Sequence, residues 1–183
     1  MKIGFWSVIA EVIRNFSLMT LFFILPPGML EAQTFFFERY GVEHGLSSSK
    51  VYTVIQDRND WIWLGTESGV SRFDGTRFEN FTFADGLAPG GAYSIAEDKT
   101  GRIWFGHLNG GLSIFDGEKF NRVRFDSIQV KGDVTSIKPL DDNIWITTIS
   151  NGAIKFALPE AGDTLLHAKD RKSTRLNSSH VSQ

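Results

Sequence analysis

Apolar and polar positions follow a repeating pattern of short runs between residues 45 and 156. From Lys50 to Gln56 the residues are largely β-branched or aromatic, and Trp61 to Thr66 is again mostly apolar. Val70 to Phe73 and Arg77 to Thr82 continue the series, with Asp, Asn and Gly residues between the runs. Runs of this length and composition that are separated by turn residues predict β-strands. The stretch therefore predicts a sheet of four short strands.

This pattern recurs three times along the chain. Trp63, Trp104 and Trp145 are spaced 41 residues apart. Phe73, Phe115 and Phe156 follow at intervals of 42 and 41 residues. A fixed period near 40 residues that is built from short β segments is typical of propeller blades. We therefore predict an all-β fold of three four-stranded β-propeller blades, which form an incomplete propeller after an N-terminal signal segment.

The repeated aromatic positions are interpreted as structural. A blade cannot bury both of its faces alone, so one tryptophan and one phenylalanine per repeat predict packing between adjacent blades. The same role is assigned to Val54, Ile95 and Ile137. Replacing a packed tryptophan by alanine typically costs about 3–5 kcal/mol, which favours a packing role over a ligand platform.

Glycines and turn residues repeat as well. Gly65 and Gly106 indicate close approach of neighbouring backbone within a strand. The pairs Asp74-Gly75 and Asp116-Gly117 predict tight hairpin links, because glycine accepts positive φ at no steric cost. The third copy has Ala157-Leu158-Pro159 at this place, so its last strand is predicted to be degraded or absent.

The first 32 residues have the features of an export signal. Lys2 and Arg14 precede the apolar stretch from Phe16 to Leu25, which is followed by Pro26. This apolar core is about half of the roughly 20 residues that a membrane-spanning helix needs. We predict a signal peptide over residues 1–32 that is cleaved after Ala32, with an uncleaved N-terminal anchor as the alternative.

The repeats set the remaining boundaries. We assign blade 1 to residues 35–83, blade 2 to 84–125 and a degraded or truncated blade 3 to 126–158. Residues 159–169 are interpreted as a linker or the start of a next blade. Residues 170–183 begin with a stretch that resembles, over eleven residues, the translation of a common sequencing adapter. We expect this tail to be an artefact, and the alternative is a natural disordered linker.

Composition excludes several kinds of chemistry. The net charge of −2 does not predict a nucleic-acid groove, which requires a basic patch. The chain has no cysteine, so a disulfide framework, a thiol nucleophile and a cysteine metal site are excluded.

Other candidate reactive groups are sparse. The histidines are His44, His107, His167 and His180, and none forms a paired metal-binding or catalytic motif. His107 lies at a predicted strand end that could face a pocket, but a lone histidine of this kind favours a solvated or hydrogen-bonded surface position. Asp57, Asp98 and the pair Asp141-Asp142 lie at turns, where capping of backbone N–H groups is favoured over a calcium site. We assign no catalytic, metal or cofactor-binding residues, and the ligand-binding residues stay unknown.

The run from Tyr40 to Phe78 closely resembles the two-component regulator propeller repeat. The resemblance covers roughly residues 35–156, and the third copy departs from the pattern at Pro139 and Thr147. Such repeats are typical of the periplasmic sensor half of bacterial hybrid histidine kinases. The resemblance implies a pair of propellers, usually seven-bladed, followed by a β domain, a membrane helix and cytoplasmic output modules.

The resemblance also implies a function. We expect an N-terminal fragment of an exported, periplasmic sensor that binds a small-molecule or oligosaccharide ligand, for example one derived from a glycan. It would signal to a histidine kinase output that lies outside this chain, so the chain itself is not expected to be an enzyme or to hold a cofactor. The other partners implied are the remaining blades, with no nucleic acid and with the membrane reached only through the signal segment or a downstream helix. The alternatives are a secreted binding scaffold without signalling output and a fragment of a propeller lyase or hydrolase.

Overall fold

The computed structural model describes residues 36–126, 128–160 and 164–166. The chain divides into two units, Met1–Arg39 and Tyr40–Gln183. Only residues 36–39 of the first unit are described, and they form no regular secondary structure. The predicted signal segment and the C-terminal tail therefore lie outside the described residues. All of the strands discussed below belong to the second unit.

The described part of the second unit forms three antiparallel sheets and one short parallel pair. The first sheet contains, in spatial order, β1 (Val51–Gln56), β2 (Ile62–Thr66), β3 (Gly69–Phe73) and β4 (Phe78–Phe81). The second contains β5 (Ala92–Glu97), β6 (Ile103–His107), β7 (Leu112–Phe115) and β8 (Phe120–Arg122). The third contains β10 (Val134–Leu140), β11 (Asn143–Thr148) and β12 (Gly152–Ala157), and the parallel pair joins β9 (Arg124–Phe125) to β13 (Leu165–Leu166). We refer to the three sheets as blades 1, 2 and 3.

Each blade is a meander in which successive strands are hydrogen-bonded neighbours. The first strands of the blades, β1, β5 and β10, lie side by side across the blade boundaries. This arrangement is that of propeller blades around a common axis, with the first strand innermost. The predicted all-β propeller fold is confirmed.

Two hydrophobic layers hold the blades together. The layer between blades 1 and 2 has Trp63, Phe105 and Phe120 at its centre, and the Trp63 ring lies 5.6 Å from that of Phe105 and 6.3 Å from that of Phe120. The layer between blades 2 and 3 contains Trp104 and Phe156, both fully buried. Alternation of side chains along a strand explains this division, because neighbouring residues point to opposite faces of a sheet. Blade 2 therefore uses one face for blade 1 and the other for blade 3.

Blade 3 has three strands in the described residues, whereas blades 1 and 2 have four. The chain leaves β12 through Leu158 and Pro159, and proline has no N–H with which to join a ladder. Leu165–Leu166 then pairs in parallel with β9, which follows the outermost strand of blade 2. Residues 159–169 were expected to be a linker or the start of a next blade, and the pairing with β9 had no counterpart in the sequence pattern. Leu166 is fully buried in the layer between blades 2 and 3, which accounts for the docking of this segment.

Candidate functional site

The tryptophans of blades 1 and 2 are held by a turn carboxylate of their own blade. The indole Nε1 of Trp63 donates to Asp57 Oδ2 at 2.7 Å, and that of Trp104 donates to Asp98 Oδ2 at 2.8 Å. The other carboxylate oxygen of each aspartate caps backbone N–H groups of the turn, as at Asn59 N, 2.8 Å from Asp57 Oδ1. The capping role was expected, but the indole contact was not. The six-residue spacing from Asp to Trp in the first two copies is the signal that could have revealed it.

Trp145 departs from this arrangement, and its packing between blades stays a prediction, because the described residues contain no blade that follows blade 3. Its side chain is 39% exposed, because it lies on the face of blade 3 that points away from blade 2. Pro139 stands six residues before it, so there is no carboxylate in the place of Asp57 and Asp98. The opposite face of blade 3, with Ile144 and Phe156, is buried against blade 2.

Val54 in blade 1 is a second repeat residue that is exposed, at the opposite end of the three described blades from Trp145. It is 59% exposed, whereas the equivalent Ile95 and Ile137 are buried against the preceding blade. Blade 1 has no preceding blade in the described residues, so the face that carries Val54 is uncovered. Phe73 lies on this same face and is half-buried, in contact with the rings of Tyr40 and Phe78.

The strand glycines lie where blades approach most closely. A Cβ atom added to Gly65 would lie 2.5 Å from the carbonyl oxygen of Ala92 in blade 2. One added to Gly106 would lie 2.5 Å from a methyl carbon of Val134 in blade 3.

The hairpin glycines Gly75 and Gly117 have positive φ, 92° and 106°, while Asp74 and Asp116 accept hydrogen bonds from the backbone of the same turns. Phe115 packs on Trp63 at a ring distance of 5.3 Å.

His107 is fully buried, so its predicted surface position is wrong. Ser113 Oγ accepts a hydrogen bond from the backbone N–H of Ala88 and lies 3.0 Å from His107 Nε2. The carbonyl oxygen of Gly90 can only accept, so Nδ1–H of His107 donates to it at 3.3 Å, and Nε2 of the neutral ring accepts from the Ser113 hydroxyl. Burial lowers the pKa of His107 to about 4, although the contact with Gly90 acts in the other direction. Since both nitrogens are engaged inside the blade, the imidazole is not available to a substrate as a base.

Blade 1 has hydroxyl groups in the corresponding place. Thr66 lies at the end of β2, where β6 has His107, and Ser71 corresponds to Ser113. Ser47 Oγ lies 2.9 Å from Thr66 Oγ1 and 2.8 Å from Ser71 Oγ. In blade 2, Ala88 stands where blade 1 has Ser47, and His107 stands where blade 1 has Thr66. The imidazole therefore makes the hydrogen bond to the serine of the third strand.

The surface that best fits a ligand site lies where the innermost strands converge. Strand β1 has a β-bulge between Val51 and Thr53, and β5 has one between Ala92 and Ser94. Bulges re-aim side chains and are frequent next to functional sites. Tyr52 and Tyr93 are the two bulge residues, and their rings stack at 4.7 Å with an interplanar angle of 28°. Tyr93 is 37% exposed and Tyr52 is half-buried, so the stacked pair is accessible and bridges blades 1 and 2.

Charged groups lie beside the tyrosine pair. Lys50 Nζ, two residues before Tyr52, lies 2.7 Å from Glu67 Oε1. The hydrogen bond and the charge of Glu67 raise the pKa of Lys50. Glu67 also lines a cleft of about 240 Å³ between blades 1 and 2, together with Thr82, Phe83 and Leu87. The surface therefore offers the two stacked phenol rings together with a neighbouring pair of one cation and one anion.

The third blade contributes a smaller polar group at the same register. Thr135 is its bulge residue, and its Oγ1 lies 2.9 Å from Thr147 Oγ1. The aromatic character of this surface is therefore confined to blades 1 and 2 among the described blades.

Within the described ranges, no group of three or more histidine and acidic side chains is placed to hold a metal ion. None of the helices in this part of the chain combines the length and apolar character needed to cross a membrane.

Comparisons with known proteins agree with the repeat geometry. The family model for the two component regulator propeller matches residues 45–68 and 86–109, which contain the first two strands of blades 1 and 2. No curated protein matches the chain.

Two solved structures from B. thetaiotaomicron have a similar fold. One is described as the extracellular domain of the hybrid two component system BT3049, with a TM-score of 0.57, 23% identity and coverage of 66% of this chain and 19% of that one. The other is described as the extracellular domain of the one component system BT4673, with a TM-score of 0.58, 18% identity and coverage of 72% and 17%. The chain spans less than a fifth of each of these structures. Residues 45–68 and 86–109 therefore match the model of the two component regulator propeller family, and the sheets that contain them have the fold of propeller blades.

Proposed function

We propose that this chain is part of an exported propeller that senses a ligand outside the cytoplasm and signals to a histidine kinase. The observation that carries the proposal is the accessible Tyr52–Tyr93 stack at the convergence of the innermost strands. It lies in blades whose repeats are of the two component regulator type. The extracellular domains of similar fold support the location outside the cytoplasm.

We call the surface around the stacked Tyr52 and Tyr93, with Lys50 and Glu67 beside them, the tyrosine surface. It favours a ligand with ring-shaped units and several hydroxyl groups. Tyrosine rings offer an apolar face together with a polar hydroxyl. Lys50 and Glu67 supply a donor and an acceptor nearby. A glycan-derived ligand has both of these features, because its sugar rings carry C–H faces and hydroxyl rims.

A site that bridges two blades can also transmit binding. A ligand shifts a conformational equilibrium only through its difference in affinity between two states. Tyr52 belongs to blade 1 and Tyr93 to blade 2, so a change in the angle between the blades alters the stack. A ligand that prefers one geometry of the stack would favour one arrangement of the propeller, and the kinase would respond to that arrangement.

Binding by the complete chain tests the ligand-site part of the proposal. The probes are maltotetraose, chitotetraose and oligogalacturonate, titrated against the chain by calorimetry. We expect at least one probe to bind, with a tenfold or greater loss in Tyr52→Ala and Tyr93→Ala. Tyr52→Phe is the matched control, because it keeps the ring and removes only the hydroxyl. Binding that is unchanged in both alanine variants would place the ligand elsewhere.

The signalling part is tested on the full-length protein. Autophosphorylation is measured with and without the oligosaccharide that binds, in the wild type and in Tyr52→Ala. A response in the wild type and none in the variant supports the sensor. A full-length gene without an output domain would instead favour the secreted binding scaffold.

A further inference from the structure

A second cluster of aromatic and charged side chains lies at the outer strands of blade 1. Arg72 is paired with Trp63 across the sheet on one side and with Glu79 on the other. The corresponding residues of blade 2 are Ile114 and Asn121, and the place of Trp61 is taken by Arg102. Since blade 2 forms the same four-stranded sheet, the blade fold does not require the combination of Trp61, Arg72 and Glu79.

One part of this cluster does have a structural counterpart in every blade. A cation lies against the repeat tryptophan in each of them: Arg72 at 5.3 Å from Trp63, Arg102 at 5.7 Å from Trp104 and Lys155 at 5.5 Å from Trp145. Contact of this kind stabilises a cation over an aromatic face. The cation is therefore a structural element of these blades, while Trp61 and Glu79 are additions peculiar to blade 1.

The guanidinium of Arg72 is fixed but not fully paired. Its central carbon lies 4.3 Å from the ring centre of Trp61, and Nη2 donates to Glu79 Oε2 at 2.5 Å. Nε of Arg72 is buried and donates to no acceptor among the described residues. Leaving a buried donor unpaired costs free energy of about 1–3 kcal/mol.

A cavity of about 460 Å³ opens beside this guanidinium. We call it the Trp61 cleft, and its lining residues are Trp61, Arg72, Asp74, Arg77, Phe78 and Glu79. Its volume is within the range of small-molecule sites. Two cations and two anions balance in the lining, so the cleft has no net charge that would favour an ionic ligand. Two aromatic rings provide apolar surface, while the charged side chains provide donors and acceptors.

We propose that the Trp61 cleft binds a neutral, polyhydroxylated ring, such as a single hexose unit, separately from the tyrosine surface. The indole of Trp61 packs on the C–H face of the ring. The exposed part of the Arg72 guanidinium donates to a ring or hydroxyl oxygen, and the carboxylates of Asp74 and Glu79 accept from hydroxyl groups. A ligand with a net charge of either sign binds more weakly, because it would disturb the balanced pairs of the lining.

Fluorine NMR of the complete chain tests this site directly. The tryptophans are labelled with 5-fluorotryptophan, and the Trp61 resonance is assigned with Trp61→Phe. The probes are methyl glucoside and methyl galactoside, with glucuronate and glucosamine as charged counterparts. We expect a neutral glycoside to shift the Trp61 resonance in a saturable manner, with affinity at least tenfold higher than that of the charged probes. Trp145 is exposed on blade 3, and its resonance should not move.

Substitutions separate this cleft from the tyrosine surface and from general effects on folding. Trp61→Arg places the blade 2 residue in blade 1, and it should abolish binding while the thermal unfolding transition is kept. Trp145→Ala is the matched control that removes an exposed tryptophan elsewhere, and Tyr52→Ala removes the other site; both should keep the response of Trp61. No shift at Trp61 with either glycoside would overturn the proposal, as would unchanged binding in Trp61→Arg. Neither result would affect binding at the tyrosine surface, which is measured by its own variants.

Discussion

At the scale of single residues, the same residue type has different consequences in different copies. Trp63 and Trp104 are buried and hydrogen-bonded to aspartate, whereas Trp145 is partly exposed. Gly65 faces the backbone of the next blade, whereas Gly75 has open space around it. For residues of the same type, the contribution to stability therefore depends on what each one contacts.

The two glycines give a direct comparison. Gly65→Ala places a methyl group against the carbonyl of Ala92, so the blades must separate, and we expect a loss of about 3 kcal/mol in the free energy of unfolding. In Gly75→Ala the added methyl group meets no neighbour, so only the positive φ is unfavourable, and we expect a loss of about 1 kcal/mol in the free energy of unfolding. Urea denaturation of both variants measures the difference. Equal losses would show that the blades yield easily at Gly65.

His107 predicts a dependence of stability on pH. Its pKa is lowered to about 4 in the folded chain, while the unfolded value is near 6.5. The unfolded chain therefore binds more protons between these values, and the folded state loses stability as the pH falls from 6.5 towards 4. Between pH 7 and pH 5, His107 should lower the free energy of unfolding by about 2 kcal/mol.

The variant His107→Gln isolates this contribution. Glutamine keeps a polar group in the blade but does not titrate, so the loss of stability between pH 7 and pH 5 should be smaller by the same amount. Urea unfolding at the two pH values provides the measurement. An identical pH profile in the variant would mean that other groups cause the dependence.

At the scale of elements, the turn between the first two strands organises each complete blade. In blade 2, Asp98 accepts from Thr100, from Arg102 and from the indole of Trp104. Burial alone raises the pKa of Asp98, but the hydrogen bonds from these three residues outweigh it and the pKa lies below its ordinary value. The same turns connect neighbouring blades, as Arg58 pairs with Glu97.

Removal of the Asp98 carboxylate should lower the free energy of unfolding substantially. Asp98→Ala leaves the buried side chain of Arg102 without its partner, and breaking a buried pair in this way typically costs about 3–5 kcal/mol. Asp57→Ala is the matched comparison, because Asp57 binds its tryptophan without an arginine, and we expect a smaller loss. Thermal unfolding followed by near-UV circular dichroism ranks the two variants. A larger loss at Asp57 would contradict this account of the turn.

At the scale of the whole molecule, the two outer faces of the described blades are uncovered. Blade 3 presents Trp145 between Lys138 and Lys155, and blade 1 presents Val54 and the partly covered Phe73. Trp63 shows how such a face is used inside the molecule, since it packs on the phenylalanines of the next blade. An uncovered face and its strand edges favour association with another sheet.

The complete chain should therefore self-associate in solution. Sedimentation velocity over a range of concentrations should show species larger than the monomer. Trp145→Lys adds a third positive charge to this face, so it should weaken the association at least tenfold. Trp145→Phe keeps the apolar ring and should retain it. A strictly monomeric wild-type chain would show that these faces are compatible with an isolated molecule.

The sequence alone determined the repeat, the strands and the tight hairpins. Alternating apolar residues and Asp-Gly pairs are local signals, so Val51–Gln56 and the turn at Asp74 follow from a few neighbouring residues. The 41-residue period also indicated propeller blades, and the run from Tyr40 to Phe78 carried the resemblance to the two-component regulator propeller repeat.

Only the tertiary structure decided which repeated side chains are covered and which surfaces are open to a ligand. Trp145 and Val54 obey the repeat but lie on outer faces, and His107 became buried because Ser113 and Gly90 satisfy both of its nitrogens. The Tyr52–Tyr93 stack joins residues 41 positions apart through two bulges. A linear pattern specifies the alternation within one strand, whereas exposure and stacking depend on the blade that lies opposite.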